Sequence, residues 1–131
     1  MKKITFTLLF VFAALLSFSQ TNADVVGQWF NAEKDAVITL FEQGNSISGK
    51  ITWMKFPLDD NGNPKTDPLN PDEKLKSRPR LGMQMMKNFN YDEDNVWDDG
   101  ELYDPKKGKT YSGKFTLVDE NTLDLRGYIG F

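Results

Sequence analysis

The side chains best suited to chemistry in this sequence are carboxylates, which occur in three clusters. Two carboxylates can hydrolyse a glycoside when one is held protonated and the other is ionised, and Trp97 beside Asp98 could stack on a sugar ring. Carboxylates in turns rich in glycine and asparagine more commonly set turn geometry, so a glycan hydrolase is the less favoured interpretation. The clusters comprise Asp59 and Asp60, Asp92 to Asp94, and Asp98, Asp99, Glu101 and Asp104.

The first cluster begins like a calcium-binding loop, with Asp59, Asn61 and Asn63 at alternate positions. Its sixth position is Pro64, where an EF-hand needs glycine, and its twelfth is Asn70, where an EF-hand needs glutamate. The pattern therefore does not predict an EF-hand. A looser calcium site stays open beside the simpler interpretation of a solvated acidic loop, and we predict no metal and no cofactor.

The sequence contains neither cysteine nor histidine. Histidine general bases, Ser-His-Asp triads, cysteine nucleophiles and zinc sites built from these residues are therefore excluded. The formal charge of −3 argues against a broad nucleic-acid surface, because such binding depends on lysine and arginine neutralising phosphates. We predict no nucleic-acid partner.

The N-terminus has the pattern of a secretory signal peptide over residues 1–19. Lys2 and Lys3 precede an apolar run from Leu8 to Leu16, and small residues follow before Gln20. The run is too short to span a bilayer of ~30 Å, and no later segment is apolar enough to do so. We therefore expect a periplasmic or secreted protein, with residues 20–131 forming a single domain and no transmembrane segment after signal removal. A second possible cleavage follows Ala23, and a retained N-terminal anchor is the less favoured interpretation.

The remaining sequence predicts about seven short strands by alternation of apolar and polar side chains. The clearest pattern is a hairpin whose turn contains Pro105 and Gly108. On its second strand Tyr111, Gly113, Phe115 and Leu117 share one face. Further strands are predicted at 25–31, 36–42, 46–53, 81–89 and 122–129, and a helical turn is the alternative for 81–89. Ile47, Gly49, Ile51 and Trp53 share one face of their strand, Met83, Met85 and Lys87 share one side of theirs, and Leu123, Leu125 and Ile129 face inward.

The strand order favours an all-β antiparallel up-and-down barrel. Gly49, Gly113 and Gly127 each fall in mid-strand on an inward position, where glycine either lets a strand bend or relieves crowding. Bending is the interpretation we favour. The segment from Pro57 to Pro79 is a long loop rich in Asp, Asn, Gly and Pro, and loops of this length are commonly functional or mobile.

Several motifs together resemble the secreted bacterial family called "domain of unknown function 2147". The resemblance implies a lipocalin-like barrel of about eight strands in the bacterial envelope, with no established reaction. It covers nearly all of the chain after the signal peptide. The motifs are Gly27-Gln28-Trp29, Gly49 to Trp53, Asp59-Asp60, Asn70-Pro71-Asp72, Arg78 to Met83, Trp97 to Pro105, Gly108 to Tyr111, and Leu125 to Gly130.

The chain departs from the family pattern at two places. Asp99 stands where a second glycine is common before Gly100. The usual closing strand with a tryptophan and a basic residue is not found after Gly130. The second departure leads us to expect a closing strand that is either truncated or supplied by a partner.

The predicted barrel interior suggests a binding module for a small apolar or amphipathic ligand. A solid core remains an equal alternative, since barrels of this size are either filled or just large enough for one ligand. It would fit a structural or interaction module of the cell envelope, with Met83-Gln84-Met85-Met86 as a partner surface. The cavity candidates are Trp29, Trp53, Tyr103, Tyr111, Phe115 and Leu125, and the polar anchor candidates are Asp104, Arg126 and Arg78.

Overall fold

The computed structural model describes residues 22–128 as one seven-stranded antiparallel sheet. The predicted signal peptide and the inward position of Ile129 lie outside the described residues. Two short 3₁₀ turns, Asn22–Asp24 and Glu73–Leu75, accompany the strands. The strands are β1 (Gly27–Phe30), β2 (Ala36–Gln43), β3 (Ser46–Met54), β4 (Gln84–Tyr91), β5 (Val96–Asp104), β6 (Lys109–Asp119) and β7 (Thr122–Tyr128).

Each strand pairs with the next along the chain, in the order β1 to β7, and the sheet curls into a half-barrel. The all-β antiparallel prediction is confirmed. Because successive strands run in opposite directions, the β1–β2, β3–β4 and β5–β6 connections lie at one end of the half-barrel. The other three connections lie at the opposite end. The long loop therefore shares its end with the two short turns around Glu33 and Lys106.

The core lies on the concave face and is built from stacked aromatic rings. Trp97 and Phe115 are fully buried, with ring centroids 5.1 Å apart and planes only 11° from parallel. Phe89 lies 5.3 Å from Phe115 and is also fully buried. A Cβ at Gly100 would lie only 2.4 Å from Cγ of Phe89, so Gly100 makes room for this ring. Leu40, Ile47, Met86 and Val25 complete the buried cluster.

The three glycines predicted on inward positions do face neighbouring side chains. A Cβ at Gly49 would lie 2.9 Å from Leu40, one at Gly113 would lie 3.0 Å from Phe89, and one at Gly127 would lie 3.3 Å from Tyr111. These contacts support relief of crowding, the alternative that the sequence interpretation ranked second.

A β-bulge places Trp53 on the outer face of the sheet, which corrects the prediction for this residue. Val37 and Ile38 are consecutive in β2, but they pair with Trp53 and Ile51, so Thr52 is an extra residue in β3. Trp53 is 44% exposed and packs edge-on against Phe30, which is 63% exposed, with ring centroids 6.3 Å apart. The strict alternation expected over 46–53 ends at this bulge.

A second irregularity changes the faces of β4. Ile47 and Gly49 are two residues apart, but their partners Phe89 and Met86 are three apart, and the intervening Asn88 has φ 62°. Met86 and Phe89 therefore both face the core, while Lys87 is exposed. Met85 and Lys87 were predicted on one side of this strand, but Met85 packs against the core whereas Lys87 is exposed. Met83 and Met86 are buried, so the methionine run is not the exposed surface that was considered.

A third bulge falls at Asp99. Trp97 and Gly100 pair with Phe115 and Gly113, which leaves one extra residue in β5. Asp99 has φ 58°, in the left-handed region that glycine adopts without a steric penalty. A glycine at this position would adopt the same backbone conformation without that penalty.

Candidate functional site

The concave face encloses a cavity of about 620 Å³ that is open at one end of the half-barrel. Its deeper wall is apolar and comes from six of the seven strands, with three methionines among its side chains. Methionine adapts to irregular ligand shapes because its side chain is unbranched and flexible. The apolar wall includes Trp29, Ile38, Met54, Met85, Phe115 and Leu125.

The opposite end is closed by the N-terminal turn of the described chain. Asn22 donates from Nδ2 to the carbonyl of Asn45 at 3.0 Å and accepts from Nε1 of Trp97 at 2.9 Å. Val25 is fully buried, and its carbonyl accepts from Nε1 of Trp29 at 2.8 Å. These bonds fix the indole of Trp29, which lines the cavity, and the ring of Trp97, which lies in the core.

Charged side chains surround the open end of the cavity. The β1–β2 turn contributes Asn31, Glu33 and Asp35, while the long loop contributes Lys65 and Arg80. The β5–β6 turn adds Asp104 and Lys106. Asn31 donates from Nδ2 to Oδ1 of Asp35 at 2.5 Å. This hydrogen bond lowers the pKa of Asp35 most, although partial burial opposes it, and nearby Lys106 and Lys65 lower that pKa further.

A buried carboxylate holds the long loop in place. Asp67 is fully buried and accepts from Nδ2 of Asn70 at 2.8 Å and from Nε of Arg78 at 3.1 Å. It also accepts from the hydroxyl of Tyr103 at 2.7 Å, which ties the loop to β5. The loop backbone packs against the β5–β6 turn, since a Cβ on Gly108 would lie 2.1 Å from the carbonyl oxygen of Leu69.

The same hydrogen bonds determine how Asp67 and Tyr103 titrate. Burial by itself would raise the pKa of Asp67, but the bonds from Asn70, Tyr103 and Arg78 outweigh it and the pKa is lowered. Burial, followed by the bond to the Asp67 carboxylate, raises the pKa of Tyr103 to about 12. The guanidinium of Arg78 also lies 5.4 Å from the centre of the Tyr103 ring. This cluster is satisfied internally and positions the loop.

Three of the six cavity candidates line the cavity, namely Trp29, Phe115 and Leu125. Trp53 lies on the outer face, where it borders a second, shallower groove of about 380 Å³ with Phe30 and Val37. The other two candidates are not among the lining residues. Tyr103 is bound to Asp67, and Tyr111 packs beside Gly127.

The three polar anchor candidates lie in three different places. Asp104 borders the cavity opening. Arg78 belongs to the Asp67 cluster. Arg126 pairs with Asp124: its Nε lies 3.1 Å from Oδ2 of that residue, and both side chains are exposed.

The geometry gives no support to the carboxylate pair considered for glycan hydrolysis. Trp97 is fully buried and cannot stack on a sugar. Asp98 accepts from the hydroxyl of Tyr128 at 3.0 Å, which raises the pKa of that tyrosine. Within residues 22–128, no group of three or more acidic side chains is placed to hold a metal ion.

Sequence reasoning missed Asp67, Lys65, Arg80 and Lys106. All four lie in polar segments that read as solvated turns. For Asp67, the one available signal was that Asp67 and Asn70 flank Pro68 within a loop of unusual length. Nothing local indicates that its carboxylate is buried, because its partners Arg78 and Tyr103 are 11 and 36 residues away.

The fold and cavity define a lipocalin-like protein. The structure superimposes on a solved structure described as "Protein HP1028 from the human pathogen Helicobacter pylori belongs to the lipocalin family", with a TM-score of 0.63 and 20% sequence identity. The superposition covers 82% of this chain and 77% of that one. At this identity the likeness establishes the fold alone.

The family model described as "Uncharacterized protein conserved in bacteria (DUF2147)" matches residues 27–131, and the chain belongs to this family. A search of curated proteins found no significant match. In the part of the chain that the structure describes, no helix has the length and apolar character needed to cross a membrane.

Proposed function

We propose that this protein is a non-enzymatic binding module for one small apolar or amphipathic ligand. The observation that carries the proposal is the cavity of about 620 Å³, which has an apolar wall beneath a charged opening. Ligand sites commonly occupy about 300–1,000 Å³ and combine apolar walls with a few polar groups. A cavity of this size also argues against the solid core that was the alternative.

The proposal is tested with a neutral fluorescent probe, N-phenyl-1-naphthylamine, and two neighbouring variants. Ala36 lines the cavity, whereas the adjacent Val37 borders the outer groove. Ala36→Phe fills cavity space and should weaken probe binding about tenfold, which corresponds to ~1.4 kcal/mol. Val37→Phe adds an aromatic ring on the other face and should leave binding unchanged.

The proposal predicts saturable binding of the probe by the wild-type protein. Absence of saturable binding, together with native mass spectra that show only bare protein, would refute the proposal. Equal weakening by Ala36→Phe and Val37→Phe would place the probe outside the cavity.

A protein-interaction role is the second candidate, and the outer groove is the observation that favours it. Phe30 and Trp53 expose aromatic rings there beside Gln28, Val37 and Thr52. Exposed aromatic side chains are typical of partner-binding surfaces. Cross-linking in envelope extracts should then recover a partner that is lost with Trp53→Ser and kept with Ala36→Phe.

We further infer a periplasmic or secreted location. The support is the charged start, apolar run and small residues of segment 1–19. Mass spectrometry of the protein recovered from cell fractions should give a mature N-terminus at Gln20, outside the cytoplasm. Recovery of the intact chain from Met1 in the cytoplasm would contradict this inference.

A further inference from the structure

We propose that Lys65, Arg80 and Lys106 bind the anionic head group of a single-chain amphiphile whose tail occupies the cavity. This inference rests on the proposed function and names the class of ligand. All three cations border the cavity at its open end. A ligand with its tail against the apolar wall would place its head group among them.

Fold topology brings these cations together from two different connections. Lys65 and Arg80 lie in the β3–β4 loop and Lys106 lies in the β5–β6 turn, which share one end of the half-barrel. The loop holds its two cations side by side, since the backbone N–H of Arg80 donates to the carbonyl of Lys65 at 3.0 Å. The Asp67 cluster then fixes the loop against β5.

The cations retain free hydrogen-bond donors. Nε of Arg80 donates to the carbonyl of Thr66 at 2.9 Å, which orients the guanidinium and leaves both Nη groups available. Within residues 22–128, no carboxylate lies within 4.0 Å of the charged nitrogens of Lys65, Arg80 or Lys106. Arginine and lysine side chains without a carboxylate partner are suited to bind a carboxylate or phosphate group.

Carboxylates also border the opening, and most of them have partners. Asp35 accepts from Asn31, Asp104 accepts from the backbone N–H of Lys106 at 2.9 Å, and Asp124 pairs with Arg126. Glu33 is the exception and has no partner among the described residues. Hydrogen bonds from neutral groups leave the charges of Asp35 and Asp104 in place, so the inference rests on the free N–H donors of Lys65, Arg80 and Lys106 and not on a net positive charge at the opening.

The test compares four ligands with the same twelve-carbon tail, each used to displace N-phenyl-1-naphthylamine below its micelle concentration. Dodecanoate and dodecyl phosphate should displace the probe at concentrations about tenfold lower than dodecanol, and dodecylamine should be the weakest. Added salt should reduce this preference because exposed charges are screened. Inorganic phosphate alone should not displace the probe.

Two variants and one control locate the head group. The double variant Lys65→Gln with Lys106→Gln should weaken dodecanoate binding about fivefold or more, while dodecanol binding stays unchanged. Arg80→Gln should act in the same direction and keeps an amide donor in place of Nε. Lys87→Gln, an exposed change on β4 away from the opening, should have no effect.

The outcomes separate this inference from the proposed function. Equal displacement by dodecanoate and dodecanol would leave cavity binding intact and overturn the head-group assignment. Strongest displacement by dodecylamine would overturn it in favour of Glu33. If inorganic phosphate competed as well as dodecyl phosphate, the anion site would be independent of the cavity. Failure of all four ligands and of the probe would refute the proposed function itself.

Discussion

Gly100→Ala should destabilise the protein because the added methyl group would clash with the buried ring of Phe89. The added Cβ would lie 2.4 Å, 2.5 Å and 2.5 Å from Cγ, Cδ1 and Cδ2 of Phe89, whereas carbon atoms pack best at about 3.5–4.0 Å. The ring would have to withdraw by more than about 1 Å. Phe89 is fully buried and has Phe115 beside it at 5.3 Å, so little space is available.

Overpacking of this kind typically costs about 1–3 kcal/mol, and lost freedom in the unfolded chain offsets about 0.4–1 kcal/mol of it. Because three ring atoms clash, we expect a net loss of about 2 kcal/mol in the free energy of unfolding. The melting temperature should fall by about 8 °C. Urea denaturation followed by circular dichroism measures the free energy, and differential scanning calorimetry measures the temperature.

A double-mutant cycle tests whether Phe89 is the cause. In a Phe89→Leu background, Gly100→Ala should cost at least about 1 kcal/mol less than it does in the wild type. Gly113→Ala is the matched control, since its Cβ would lie 3.0 Å and 3.1 Å from the ring edge, and it should cost less than Gly100→Ala. The reasoning is refuted if Gly100→Ala is tolerated within about 0.5 kcal/mol or costs the same in both backgrounds.

Three further predictions concern the buried carboxylate and the β5 bulge. Asp67→Asn should lower the free energy of unfolding by about 1–3 kcal/mol, because it removes the negative charge to which Arg78 and Tyr103 donate hydrogen bonds. The exposed control Asp60→Asn should change the free energy of unfolding by less than about 0.5 kcal/mol. Ultraviolet titration should show Tyr103 ionising near pH 12, because its folded-state pKa is raised from 10.0 to about 12. The stability that this shift contributes is complete below pH 10 and is lost as pH rises through about 12. Asp99→Gly should leave the protein as stable as the wild type or more stable, while Asp99→Val should destabilise it by about 1–2 kcal/mol, because a branched residue is strained at φ 58°.

Opposite results would identify the mistaken step in each case. A stable Asp67→Asn variant that keeps the alkaline pKa of Tyr103 would show that the charge of Asp67 does not hold the loop. A melting temperature for Asp99→Val equal to that of the wild type would mean that the bulge relocates without cost.

Apolar alternation predicted the strands well where strand pairing is regular. The run 36–42 corresponds to β2 and 122–129 to β7, and the turn around Pro105 and Gly108 is confirmed, with Gly108 at φ 64°. The first strand and the methionine strand begin two and three residues later than predicted. These elements were predictable because side chains on a regular strand alternate with a period of two, a local property of the sequence.

The sequence could not assign side chains to faces beyond a bulge. Trp53 shares the spacing of Ile47 and Ile51, but Thr52 is an extra residue opposite β2 and turns Trp53 outward. A bulge is defined by the hydrogen bonds of the partner strand, so it is not present in the pattern of one strand. The register shift in β4, which places both Met86 and Phe89 on the inner face, has the same cause.

The amino-acid sequence by itself determined the antiparallel strand order, the turn around Pro105 and Gly108, and the chemistry that is excluded, because strand periodicity and residue type are local properties. Only the tertiary structure decided that Asp67 is buried against Tyr103, that Lys65, Arg80 and Lys106 meet at one opening, and that the interior contains a cavity. These features depend on contacts between residues far apart in the chain, and such contacts form only when the sheet curls and the long loop packs against β5.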